Sequence, residues 1–222
     1  MIIHQIYGIF NDGIKLKEIP QYYKSVMITR QYAVENNIEY KMWGLDDCLD
    51  FLKTNFPQYL KLWDDFRYDI QRADFIRYCI LYKLGGIYID CDIHPLKNFN
   101  HLFREDYFFV KRVEEGTKSF PYNAVMGSQP NRPIFIKILE HIKESTYEKQ
   151  KMSIYDKWKG RLVFQTTGQY MLKRVLKKDK NIYAILNIKN DKKKINIVNE
   201  GALFQDSNLS CWYRTMMSNT SP

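Results

Sequence analysis

Hydrophobic and polar positions along the chain switch between the two-residue period of strands and the three-to-four-residue period of helices. The chain enters on Ile2-Ile3-His4-Gln5-Ile6-Tyr7-Gly8, a short apolar run that suits a central strand. Pro20 then marks the start of a helix covering Tyr22 to Asn36, and Ile38 to Trp43 returns to a strand pattern. Leu45, Cys48, Leu49 and Leu52 make one apolar stripe, which predicts a helix from Leu45 to Asn55. Pro57 opens a further segment towards Trp63 and Tyr68, in which Trp63 and Phe66 read as packing residues that can also border a ligand pocket. Later strand candidates are Tyr107 to Val110, Asn123 to Gly127 and Ile182 to Leu186. Ile134 to Lys149 is an amphipathic helix, and Gln165 to Gln169 leads into another amphipathic segment that runs through Leu176. The order β-α-β at the start fits an α/β domain.

The densest pattern lies in Arg72 to Pro95, RADFIRYCILYKLGGIYIDCDIHP. Apolar groups from Phe75 to Leu84 occur almost all round the helix, so it should be buried. Asp74 and Arg77 nevertheless share one of its faces at i, i+3, and burial there is costly unless each charge is paired or faces a polar cavity. Gly85 and Gly86 supply the stop, and Ile87, Tyr88 and Ile89 alternate as a strand. Pro95 is expected to close the ladder and leave Asp90 and Asp92 projecting from the strand's carboxyl end. On an extended backbone the two carboxylates point the same way, and with phosphate or water oxygens they suit Mg²⁺ or Mn²⁺. A bare Asp-x-Asp triplet, however, also serves as a solvated turn.

The ordered string Ala73-Asp74, Arg77-Tyr78, Leu81-Tyr82, Gly85-Gly86-Ile87-Tyr88 and Asp90-x-Asp92 resembles the central signature of glycosyltransferase family 32. More distantly it is similar to the glucosylating clostridial toxins. The opening strand resembles the family's Ile-His-x-Ile-Trp-Gly, with Tyr7 in place of Trp; Tyr7 then offers a face to a nucleotide base or is a plain core residue. His4 reads as a satisfied core histidine. Asn123-Ala124-Val125-Met126 resembles an Asn-x-x-Met block and nominates Asn123 as a sugar or acceptor contact, against a loop amide that caps backbone groups. Thr167-Gly168 resembles a Thr-Gly-Pro helix start in which Gln169 stands where the family has proline. Asp206 to Trp212 resembles a C-terminal segment that closes over the donor through Ser210 and Trp212. The family's upstream histidine is missing there, so Asp206 or Asn208 is the candidate for an extra metal oxygen, while a Trp212 that only docks on apolar surface is the alternative.

Charge and length add less. A chain of 222 residues is compatible with a single catalytic domain, with 200–222 as a closing segment. A net charge of +9 favours an anionic partner without choosing between a nucleotide diphosphate, an acidic glycan, a membrane surface and nucleic acid. Cys48, Cys79, Cys91 and Cys211 are scattered, which reads as reduced thiols and a cytoplasmic setting. No run is long enough to cross a bilayer, and peripheral membrane contact stays open.

The resemblance implies a GT-A-like α/β fold with a mixed, mostly parallel sheet. It implies a metal-dependent retaining transferase that moves a hexose or N-acetylhexosamine from a UDP- or GDP-sugar to a glycan or protein hydroxyl. Asp92 would coordinate Mn²⁺ or Mg²⁺, Asp90 would hold the metal through water or contact the ribose, Asp74 would bind sugar hydroxyls, and Arg77 would pair with sugar or phosphate oxygens. Tyr88 and Asn123 complete the expected donor-binding set. A sugar nucleotidyltransferase or nucleotide-sugar hydrolase is a second enzyme class, though its customary Gly-rich phosphate loop is lacking. A basic nucleic-acid-binding module ranks last.

Overall fold

A computed structural model describes residues 1–10, 12–112, 120–149, 159–177, 179–183, 186–190, 195–197 and 201–207. The chain opens with β1 (Ile2–Ile6), α1 (Pro20–Glu35) and β2 (Glu39–Trp43). Three helices follow, α2 (Leu45–Asn55), α3 (Leu60–Asp65) and α4 (Asp69–Leu84), and then β3 (Gly86–Ile89) and β4 (Ile93–Pro95). β5 (Tyr107–Arg112), β6 (Phe120–Ser128), α5 (Pro133–Lys149), α6 (Lys159–Thr166) and α7 (Gln169–Val175) come next. The last described elements are β7 (Ile182–Tyr183), β8 (Leu186–Asn190), β9 (Ile195–Ile197) and β10 (Phe204–Asp206).

Six strands form the main sheet in the order β2-β1-β3-β6-β5-β7. Three of its five pairings are parallel, so the sheet is mixed and mostly parallel, as the GT-A-like reading requires. β1 has its successor β2 on one side and β3 on the other, which makes its carboxyl end the place where a crevice opens. Helices α2 to α5 and α7 pack one face of the sheet around Phe75, Ile76, Cys79 and Ile80 of α4, while Ile3, Ile87, Ile89 and Phe204 fill the other. Tyr88 belongs to the helix-side core and its neighbours Ile87 and Ile89 to the opposite one, so the strand alternation predicted for β3 holds.

The paired glycines do more than stop α4. Gly85 has φ +67° and Gly86 φ +88°, backbone that glycine adopts without strain. A Cβ on Gly86 would lie 2.5 Å from the Ile2 carbonyl oxygen, so the close approach of β3 to β1 needs a residue without a side chain. Tertiary packing changes two expectations. Pro95 ends an edge strand, but in a second, four-stranded sheet ordered β4-β10-β8-β9. The run Ile182 to Leu186 is split, with β7 on the main sheet beside β5 and β8 on the second sheet beside β10. Asn123 lies within β6, where a strand was expected from Asn123 to Gly127. Trp63 and Phe66 are buried in the helix-side core and act as packing residues.

Candidate active site

The crevice at the carboxyl ends of β1 and β3 is a cavity of about 210 Å³. Its polar floor combines Asp74, Arg77, Asp90, Asp92 and Asn123, and Tyr7 and Tyr88 also line it. Ile9, Phe10, Ile70 and Phe164 give it apolar walls.

Arg77 organises the floor. Its Nη2 is 3.2 Å from Asp74 Oδ1 and its Nη1 is 3.0 Å from Asp90 Oδ1. It also donates through Nε to the Ala73 carbonyl at 3.1 Å and through Nη1 to the Asn123 carbonyl at 3.0 Å, and its guanidinium lies 4.7 Å from the Tyr88 ring centre. Burial works against this charge, but Asp90, Tyr88 and Asp74 together outweigh it and raise the pKa further above the ordinary arginine value. Asp90 therefore draws its cationic partner from α4, across β3, where the sequence offers none beside it. The pairing follows from period-2 geometry, which puts Tyr88 and Asp90 on the face of β3 that α4 covers.

Asp74 is held from three directions. Besides Arg77, Asn123 Nδ2 donates to its Oδ1 at 2.8 Å and Thr167 Oγ1 donates to its Oδ2 at 2.9 Å. Burial raises its pKa, and Arg77, Thr167 and Asn123 oppose the rise. Asp90 is likewise raised by burial and opposed by Arg77 and by the Tyr88 hydroxyl, which donates to its Oδ1 at 2.6 Å. Tyr88 thus reaches the floor by way of Asp90.

The Asp-Cys-Asp segment is a turn, and the expected extended backbone is not found: Ile93 N–H bonds back to the Asp90 carbonyl at 3.0 Å. The turn is required because the chain leaves the main sheet at Ile89 and joins the second at Ile93. It is pinned on every side. Gln5 Nε2 donates to the Asp90 carbonyl at 3.2 Å, Cys91 Sγ donates to the Ile6 carbonyl at 3.2 Å, and Ser207 N–H donates to the Asp92 carbonyl at 3.0 Å. Both side-chain contacts of Asp90 fall on Oδ1, so its Oδ2 is a hard oxygen at the cavity, which Asp92 also lines. Two carboxylates fill only part of an octahedral shell, and the rest would come from diphosphate oxygens and water, a donor set that fits Mg²⁺ or Mn²⁺.

Other candidates fall as follows. Tyr7 lines the cavity and bonds through its hydroxyl to the Ile14 carbonyl at 3.0 Å. His4 is a core residue: Nδ1 accepts from Trp43 Nε1 at 3.2 Å, so Nε2 donates to the Gly85 carbonyl at 3.0 Å. Asp206 is buried on β10 opposite Ile93, and among the described residues no three His, Cys, Asp or Glu side chains form a group that could hold a metal. Asn208, Ser210 and Trp212, and with them most of the expected closing segment, lie outside the described residues. Cys48, Cys79 and Cys91 are free thiols, and no described helix is long and apolar enough to cross a membrane. Thr167 is the site residue that sequence reasoning missed; its signal was the Thr-Gly pair ahead of a helix.

Residues 18–109 match the model of a glycosyltransferase sugar-binding region containing the DXD motif. The chain is 34% identical over 142 residues to the uncharacterized glycosyltransferase L373 of Acanthamoeba polyphaga mimivirus, covering 64% of this chain and 54% of that protein. It is 34% identical over 144 residues to the mannosyl phosphorylinositol ceramide synthase SUR1 of Saccharomyces cerevisiae, covering 64% and 34%. Inositol phosphoceramide mannosyltransferase 3 of Schizosaccharomyces pombe is 29% identical over 147 residues, covering 63% and 40%. The chain thus spans about half or less of the length of these relatives. Among solved structures, the PaToxG glycosyltransferase superposes with a TM-score of 0.52 at 16% identity, covering 81% of this chain and 69% of that one, which is a likeness of fold.

Proposed function

We propose that the chain, whose residues 18–109 match the model of a glycosyltransferase sugar-binding region with the DXD motif, transfers a hexose from a nucleotide diphosphate sugar to an acceptor hydroxyl. The observation that carries this reading is the joint floor of the crevice, where one buried cation ties Asp74 to Asp90 and Asp92 lies on the same turn as Asp90. The names of the yeast relatives support mannose as the first hexose to test, alongside glucose and N-acetylhexosamines.

A divalent cation, Mn²⁺ or Mg²⁺, would be held by Asp92 directly and by Asp90 through Oδ2 or water, and when bound it neutralises charge on the departing diphosphate. Asp74 keeps its carboxylate in place through Asn123 and Thr167 and accepts sugar hydroxyls. Arg77 steadies both acids and faces the sugar-phosphate link. Tyr7 gives the base an aromatic wall. The resemblance implies retention, which would proceed by front-face attack, with the acceptor proton passing to the leaving phosphate. The chain would act as a single catalytic domain in the cytoplasm, on a glycan or protein hydroxyl, with a lipid headgroup added by the names of the yeast relatives.

The test is release of nucleoside diphosphate from a panel of UDP- and GDP-sugars with Mn²⁺, with and without candidate acceptors. Acceptor-stimulated release from at least one sugar supports the reading. Phosphoryl cleavage giving a sugar phosphate would replace it with the hydrolase reading.

A further inference from the structure

Three residues of α4 grip the junction between α6 and α7. Gln71 Nε2 donates to Thr166 Oγ1 at 2.9 Å, Asp74 accepts from Thr167, and the Tyr78 hydroxyl donates to the Thr167 carbonyl at 3.3 Å. Positions 71, 74 and 78 share one face of a helix, so the junction is fixed in register along it. Gly168 follows in extended conformation, and a Cβ there would meet the Phe164 Cα at 3.1 Å. This locked junction presents Gln169, the first residue of α7, to the cavity wall.

Gln169 is half-buried, and its amide makes no hydrogen bond to any described residue. An amide carries two donor hydrogens and an acceptor oxygen, and one that lines a cavity without a protein partner can exchange water for a ligand group that both donates and accepts. A hydroxyl is such a group. A proline would be equally at home at the first position of a helix but has no amide to offer, so helix initiation alone does not call for glutamine here.

We propose that the Gln169 amide reads a hydroxyl of the donor hexose and so helps to set which sugar this chain accepts. The inference rests on the glycosyl-transfer reading. It assigns Gln169 to the donor because Thr167, two residues before it, is bonded to Asp74, the carboxylate placed on the sugar. The apolar side chains Val163 and Phe164 on the same wall would face the carbon-rich side of the ring.

The variants are Gln169→Ala and Gln169→Pro, the second chosen because proline suits this helix position. Titration of the nucleotide sugar that the wild type turns over best should show affinity weakened roughly three- to tenfold in both, the size of one neutral hydrogen bond. The matching nucleoside diphosphate alone should bind as in the wild type, melting temperatures should match, and the preference among hexose epimers should narrow. Unchanged nucleotide-sugar affinity in both variants, an equal loss for the nucleoside diphosphate, or a change confined to the acceptor KM would overturn the assignment of Gln169 and leave glycosyl transfer standing. A wild-type chain that binds no nucleotide sugar would overturn both.

Discussion

Arg77 lies 3.0 Å from Asp90, and this one contact ties the buried helix α4 to the Asp-Cys-Asp turn. Through the same guanidinium Asp90 is joined to Asp74, so the stability of the fold and the order of the site share a residue. Replacing Arg77 with methionine should destabilise the protein by about 3–5 kcal/mol, because Asp74 is left without its cation in the interior. Urea denaturation measures this. Arg77→Lys should recover part of the stability and little of the geometry, since a point charge cannot serve Asp74, Asp90 and the Asn123 carbonyl together.

Thr167→Val removes one hydroxyl at nearly constant volume and leaves Asp74 Oδ2 without its donor. The expected cost is about 1–3 kcal/mol in denaturation, with a raised KM for the donor sugar. Thr167→Ser should restore both.

His4 gives a pH dependence whose sign is fixed by its burial. Desolvation lowers its pKa from 6.5 to about 4, so the unfolded chain takes up this proton first as the solution is acidified. The stability it contributes is complete above pH 6.5 and is lost as pH falls towards about 4, a change on the order of 3 kcal/mol. Raised carboxylates such as Asp74 act in the opposite direction, so the quantity to measure is the difference between wild type and His4→Gln across that window. The difference should shrink steadily with acidification.

Gly86→Ala should cost more than about 2 kcal/mol, from a positive φ and a Cβ pressed on the Ile2 carbonyl. Gly8→Ala has a positive φ but no atom within 4 Å of the added Cβ, and should cost only about 1 kcal/mol. Parallel denaturation of the two variants separates crowding from strain.

The legible parts of this chain were those written within one element. The all-round apolar pattern of α4, its glycine stop, the alternation of β3 and the core character of His4 could all be read from neighbouring residues. The pairing of Asp90 with Arg77 could not, because it needs β3 folded against α4. Thr167 contacts Asp74 across 93 residues of sequence, and local pattern carries no record of such a contact. The split of 182–186 between two sheets was hidden for the same reason: a short apolar run names a strand but not its partners.

Titration of GDP and UDP into the protein, with Mn²⁺ and again in EDTA, bears most directly on the account, in wild type and in Asp92→Asn. The wild type should bind at least one nucleotide in a cation-dependent way, and Asp92→Asn should weaken that binding by at least about tenfold with folding intact. Equal affinity in EDTA, or in Asp92→Asn with Mn²⁺, would contradict it.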